Sequence, residues 1–203
     1  LPGLVVDVYG RTAVVQAHSV GMHCNRMDIA QAIVDVLGDN ILSVYYKSET
    51  TLPYKAQADN STGYIIGGHL NDVPLEYGLK LPVDWINGQK TGLFIDQREN
   101  RALLEKYSNG RSVLNMFCYT GGFSLAALRG GAKLVHSVDS SAKATELTIK
   151  GVKDNFPDDD RHKAFAEDAF KFLDNMKEKY DLIILDPPAF AKHRDALKRA
   201  LIG

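Results

Sequence analysis

Ser112-Val113-Leu114-Asn115-Met116-Phe117-Cys118-Tyr119-Thr120-Gly121-Gly122-Phe123-Ser124 reads as an apolar strand, a glycine turn and the opening of a helix. Glycines at such a junction let a ligand approach the backbone closely, and the free amide groups of the helix face it. The same residues would serve an ordinary tight turn. The dinucleotide fingerprint G-x-G-x-x-G is absent, which disfavours a nicotinamide cofactor.

Outward from this segment, strands and helices alternate. Gln97–Tyr107 is expected as a helix with Ala102, Leu103, Leu104 and Tyr107 inward, preceded by a short strand at Leu93–Ile95. Downstream come a helix at Gly122–Arg129, a strand at Lys133–Val138, a helix at Ala142–Asn155, a strand at Lys163–Ala166 and a helix at Ala169–Lys179. The last strand, Tyr180–Leu185, ends in Asp186-Pro187-Pro188-Ala189-Phe190. Its apolar run suggests a buried parallel strand, and prolines cannot continue a ladder, so the chain leaves the sheet at Asp186. This alternation specifies an α/β fold with a parallel sheet and right-handed crossovers. Ligands in such folds bind at the carboxyl edge.

Before Trp85 the character is α+β. Leu4–Val8 and Thr12–Ala17 form a hairpin around Tyr9-Gly10-Arg11, and Asp28–Leu37 is a helix closed by Gly38. A strand at Ile41–Tyr46, a loop over residues 47–62 and a second hairpin pairing Gly63–Gly67 with Val73–Leu79 follow. The expected division is a small α+β domain over residues 1–86 and an α/β domain over residues 87–203.

The mean hydropathy of −0.18 and 24% charged residues are those of a soluble globular chain. No apolar run reaches the length of a membrane span, and no charged-then-apolar leader opens the sequence. The two cysteines, Cys24 and Cys118, lack metal-ligand spacing and read as reduced thiols in a cytoplasmic protein; no metal site is expected. Residues 1–87 carry five Lys/Arg against nine Asp/Glu, whereas residues 88–203 carry nineteen against sixteen. The basic excess peaks at Lys192, Arg194, Lys198 and Arg199, on a segment that could present them to phosphates or simply to solvent.

Acidic residues recur at strand ends. Asp139 lies eighteen residues past Gly121, near the spacing at which a carboxylate grips ribose hydroxyls; it could instead be a helix N-cap, and the two roles can coexist. Glu167-Asp168 ends the next strand, where Asp168 could accept an adenine amino group or cap the following helix. With the glycine turn and Asp186-Pro187-Pro188, this order resembles a class I S-adenosylmethionine-dependent methyltransferase. Gly88-Gln89-Lys90-Thr91-Gly92-Leu93-Phe94-Ile95-Asp96-Gln97-Arg98-Glu99-Asn100-Arg101, Leu114–Phe123 and Asp186–Lys192 narrow the resemblance. Together with the opening Leu1–Asp7, they resemble the bacterial large-subunit ribosomal RNA cytosine-5 methyltransferase family.

That resemblance implies a Rossmann-like sheet truncated after strand four, a preceding α+β domain that positions RNA, and a PUA-type domain that lies outside this sequence. It implies S-adenosyl-L-methionine as cofactor. Phe94, Gln97 and Arg98 would lie against it, with Arg98 as a partner for its carboxylate; the bland reading of Arg98 and Arg101 is a solvated helix face. Phe117, Tyr119, Thr120 and Gly121 would surround the methionine and ribose, Asp139 the ribose, Asp168 the adenine, and Asp186 with Pro187 the space between sulfonium and base. Cytosine-5 methylation normally needs a cysteine thiolate. Neither Cys24 nor Cys118 is well placed, so the nucleophile is expected beyond Gly203 and this piece is expected to be inactive alone. Alternatives are a ribosomal RNA guanine methyltransferase and a non-catalytic RNA-binding scaffold. The implied partner is large-subunit ribosomal RNA, without a membrane; the oligomeric state is open, a homodimer among the options.

Overall fold

A computed structural model describes residues 1–53 and 62–188. The expectations on Phe190 and the basic segment Lys192–Arg199 lie outside the described residues. The chain divides into two compact units, Leu1–Gly78 with Val83–Ile95, and Leu79–Pro82 with the chain from Asp96 onward. The short stretches on either side of Pro82 are therefore exchanged relative to a linear division at residue 86.

In the first unit, β1 (Leu4–Tyr9) and β2 (Thr12–Ala17) form the expected antiparallel hairpin. Helices α1 (Val20–Cys24) and α2 (Arg26–Leu37) follow, α1 being short enough to escape a periodicity reading. Strands β3 (Ser43–Tyr46) and β4 (Gly63–Ile66) complete a sheet of order β1-β2-β3-β4. Ala13, Val15, Ala17, Val44 and Tyr46 bury one face with Ala30 of α2.

The second hairpin is corrected. Strand β4 pairs antiparallel with β3, not with the 73–79 segment, within which Leu75–Glu76 (β5) and Leu79 are extended. The turn at Gly67 explains this: its φ is +65°, and a Cβ there would sit 2.3 Å from the Leu42 carbonyl oxygen. Leu93–Ile95 is not a strand either. Leu93 is buried in the first unit, its carbonyl accepts from the Tyr9 hydroxyl (3.3 Å), and Ile95–Gln97 is a 3₁₀ turn.

The second unit contains β6 (Leu79–Lys80), α3 (Arg98–Tyr107), β7 (Ser112–Met116), α4 (Gly122–Arg129), β8 (Leu134–Asp139), α5 (Ala142–Asn155), β9 (His162–Ala166), α6 (Ala169–Asn175) and β10 (Leu182–Leu185). Its sheet is wholly parallel, in the order β10-β7-β8-β9. Asn155 of α5 clamps β6 with two hydrogen bonds of 2.8 Å to the Lys80 backbone. Leu114, Met116, Val138, Ala169 and Phe172 form a core, with Phe165, Met176 and Tyr180 packed against it.

Two local expectations shift. Arg101 is buried on α3, while Leu103 and Tyr107 are half-exposed, because α3 turns its 101–105–108 face to α4. Glu105 there accepts from Arg129 Nε at 2.9 Å, and a Cβ on Gly130 would lie 2.2 Å from the Glu105 carbonyl oxygen. Strand β10 is parallel as expected but not buried: among the described residues it pairs only with β7, and Ile183 and Leu185 are 57% and 64% exposed. Among the described residues, no helix is long and apolar enough to cross a membrane.

Candidate functional site

The register aligns four strand ends. Leu185 lies opposite Met116, Met116 opposite Val138 and Val138 opposite Phe165. One carboxyl edge of the second unit therefore collects Asp186, the 117–121 turn, Asp139 and Glu167-Asp168. This is the edge where open α/β sheets bind ligands.

The turn itself is tightly made. Phe117, Tyr119 and Gly121 all take left-handed backbone angles, φ +54°, +48° and +80°. Left-handed non-glycine residues are costly and persist only where surroundings over-determine them. Those surroundings are visible. The Cys118 N–H donates to the Val138 carbonyl (3.0 Å) and the Gly121 N–H to the Cys118 carbonyl (2.8 Å). Thr148 Oγ1 of α5 lies 3.1 Å from the Tyr119 carbonyl it donates toward and 3.0 Å from that of Ala144.

Asp139 completes the clamp. Its Oδ2 accepts from the Tyr119 N–H and its Oδ1 from the Ser141 N–H, both at 2.9 Å. It is not the N-cap of α5; Ser141 is, with Oγ accepting from Ala144 N–H at 3.3 Å. Each carboxylate oxygen retains a second lone pair, so holding the turn leaves capacity for a hydroxyl donor. Asp168 does cap α6, its Oδ1 accepting from the Phe170 and Lys171 N–H groups at 3.1 Å.

Among the other expected residues, Asp186 is exposed and Pro187 partly buried directly after β10. Thr120 is buried at the turn. Gln97 and Arg98 open α3, half-buried and exposed respectively. Phe94 belongs to the first unit and is exposed there. Arg101 is the residue the sequence reading misplaced: a Cβ on Gly122 would meet its Cδ at 3.1 Å, so its stem runs along the start of α4. Thr148 was missed altogether. Its signal was available in the small, helically spaced face Ala144, Thr145, Thr148 and Gly151, all buried.

Cys118 points away from nucleophilic chemistry. It is buried, lies 3.8 Å from Thr148 Oγ1, and burial, with Asp139 nearby, pushes its thiol up to about 12. A thiol so held is protonated at neutral pH and inert. Cys24 is exposed, at the end of α1 in the first unit. Among the described residues, no group of three or more His, Cys, Asp or Glu is placed to hold a metal ion.

Residues 43–200 match the model of a family described as S-adenosylmethionine-dependent methyltransferase. The chain belongs to that family. Relatives named Ribosomal RNA large subunit methyltransferase I match over the full chain: those from Aeromonas hydrophila and Alteromonas mediterranea are each 39% identical, and in each the match spans 52% of the relative. The chain thus spans about half the length of the curated relatives it matches. The crystal structure of SMU.776 complexed with SAH superposes with a TM-score of 0.79 at 30% identity, covering 95% of this chain and 50% of that one. Trm5b from Pyrococcus abyssi shares the fold, with a TM-score of 0.71 at 20% identity over 98% of this chain and 56% of that one.

The second unit is accordingly a Rossmann-like sheet of that family, whose cofactor is S-adenosylmethionine. The residues present suit it: a tight glycine turn fixed by Thr148 and Asp139 at the sheet edge, and carboxylates at successive strand ends for hydroxyl and amino donors. When bound, the cofactor supplies an electrophilic methyl group.

Proposed function

We propose that the protein to which this chain belongs methylates carbon 5 of a cytosine in large-subunit ribosomal RNA. The observation carrying this reading is the 39% identity, over the whole chain, to relatives named as large-subunit ribosomal RNA methyltransferases. The resemblance of Gly88–Arg101, Leu114–Phe123 and Asp186–Lys192 to the cytosine-5 family supplies the position. The structures of tRNA guanine methyltransferases that share the fold are about one-fifth identical and speak only to architecture.

In this reading Phe117, Tyr119, Thr120 and Gly121 flank the methionine and ribose, Asp139 takes the ribose hydroxyls and Asp168 the adenine amino group. Gln97 and Arg98 bound the carboxylate end, where a guanidinium grips bidentately, and Phe94 lies against the cofactor. Asp186 and Pro187 border the target base. The first unit positions the RNA, and a PUA-type domain elsewhere in the full protein adds to that grip.

A cytosine C5 is a weak nucleophile until a thiolate adds to the adjacent ring carbon; C5 would then take the methyl group from the sulfonium, which leaves as the thioether, and a base would remove the C5 proton as the thiolate is expelled. Cys118 is set aside by its buried, protonated thiol. The thiolate is proposed to come from the part of the full protein that corresponds to the rest of the relatives' length. Incubating the full-length protein with S-adenosylmethionine and unmodified large-subunit ribosomal RNA, followed by mass spectrometry of nucleosides, should yield 5-methylcytidine. Methylguanosine in its place, or no methylation, would reject the assignment.

A further inference from the structure

The loop around Gly88–Gly92, in the first unit, is framed to an unusual degree. Thr91 is buried; its hydroxyl donates to Asp7 Oδ2 (2.6 Å) and lies 2.9 Å from the Tyr9 hydroxyl. Lys47 Nζ donates to the Gly88 carbonyl at 2.5 Å, and the Gly88 N–H donates to the Asp84 carbonyl at 2.8 Å. The Gly92 N–H reaches back to the Gln89 carbonyl (2.8 Å), closing a four-residue turn. A Cβ on Gly92 would stand 2.9 Å from the Trp85 nitrogen, so the return strand of the loop admits no side chain.

At the apex of this frame sits Lys90, exposed, with φ +50°. The second position of a turn with positive φ is ordinarily given to glycine or asparagine. A lysine held there is strain stored by the surrounding hydrogen bonds, and such outliers mark functional positions.

Charge points the same way. The first unit carries nine Asp/Glu against five Lys/Arg. Arg11 is held by Asp72 in a two-pronged ion pair, Arg26 donates to the His23 carbonyl, and Lys47 is committed to Gly88. Among the described residues of this unit, Lys90 is the Lys or Arg side chain engaged by no hydrogen bond or ion pair.

We propose that Lys90 is an RNA phosphate contact, displayed on a preformed turn. On an acidic unit one fixed cation sets the register of the backbone rather than bulk affinity, because phosphate contacts position a nucleic acid. The inference rests on the reading of the substrate as RNA. The test is fluorescence anisotropy of the full-length protein with a short labelled RNA hairpin across a sodium chloride series. Lys90→Gln and Lys90→Gly should weaken binding and lower the slope of log affinity against log salt by about 0.7–0.9, one phosphate contact. Lys90→Arg should keep the slope. Lys90→Gly should melt no lower than the parent, since glycine takes positive φ without penalty, so weaker binding would not be a folding defect. A parent that binds with an unchanged slope in Lys90→Gln overturns the contact alone. A parent that binds no RNA overturns both the contact and the ribosomal RNA reading.

Discussion

Gly121 carries two burdens that no other residue type meets. Its φ is +80°, and a Cβ would lie 2.5 Å from Thr148 Cγ2. Left-handed backbone costs an L-residue about 1–2 kcal/mol, and overpacking a buried contact adds about 1–3 kcal/mol. Gly121→Ala should therefore lower the unfolding free energy by about 2–5 kcal/mol in urea titrations. Adding Thr148→Ser removes the nearest contact, the methyl, but leaves Oγ at 2.8 Å and Cβ at 2.9 Å, so it should restore only part of the packing share and none of the backbone share. A loss below about 0.5 kcal/mol would mean that the turn relaxes freely and is not the rigid element argued for. At this scale the sequence disclosed the glycine and the acids but not their partners. Asp139 was legible as a strand-end carboxylate, yet that it holds the Tyr119 amide needed the register of β7 on β8. Arg101 was misread because its burial depends on which side of α3 meets α4, which Leu103 and Tyr107 falsely suggested.

Among the elements, β8 and β9 share a buried polar seam. Ser137 Oγ on β8 lies 2.8 Å from His162 Nε2 on β9 and 2.7 Å from Ser124 Oγ, which accepts from Asn115 Nδ2 at 2.9 Å. Burial, then the neighbouring His136, lowers the His162 pKa from 6.5 to about 4. The folded protein resists a proton that the unfolded chain accepts, so the contribution to stability is complete above pH 6.5 and is lost as the pH falls toward 4. At pH 5 the loss amounts to about 2 kcal/mol at most. His136, also lowered chiefly by burial, acts in the same direction. Unfolding free energies at pH 7 and pH 5 should show a smaller drop in His162→Gln than in the parent; an equal drop would assign the acid sensitivity elsewhere. Elements with a clean period were readable: α4 and α5 fall at the expected residues because glycine and serine mark their starts. The pairing of β4 was not, since nothing local to Gly63–Ile66 states that its partner is β3 rather than the nearer segment.

At the scale of the molecule, each unit has its own core: Ala13, Val15, Val44 and Tyr46 in the first, Leu114, Met116, Val138 and Phe172 in the second. The change of period near residue 85 is a sequence signal for two domains; nothing in the sequence signals that the 79–82 and 83–95 stretches fall in opposite units. Gly151 explains why the 79–82 stretch belongs to the second unit: a Cβ there would meet Pro82 Cγ at 2.9 Å. Separate cores imply that a ligand of one unit stabilises that unit first. The only tryptophan, Trp85, is buried in the first unit and stacked on Tyr9, with ring centroids 6.3 Å apart, so its fluorescence reports that core alone. Far-ultraviolet circular dichroism reports both. S-adenosylmethionine at a hundred times its Kd adds about 2.7 kcal/mol to the state that binds it, which for a unit of this size corresponds to roughly 10–15 °C. On heating with cofactor, the dichroism transition should extend to higher temperature while the Trp85 transition stays where it was. Equal displacement of both would show one cooperative unit, and displacement of neither would remove the glycine turn and its acidic strand ends as the cofactor site.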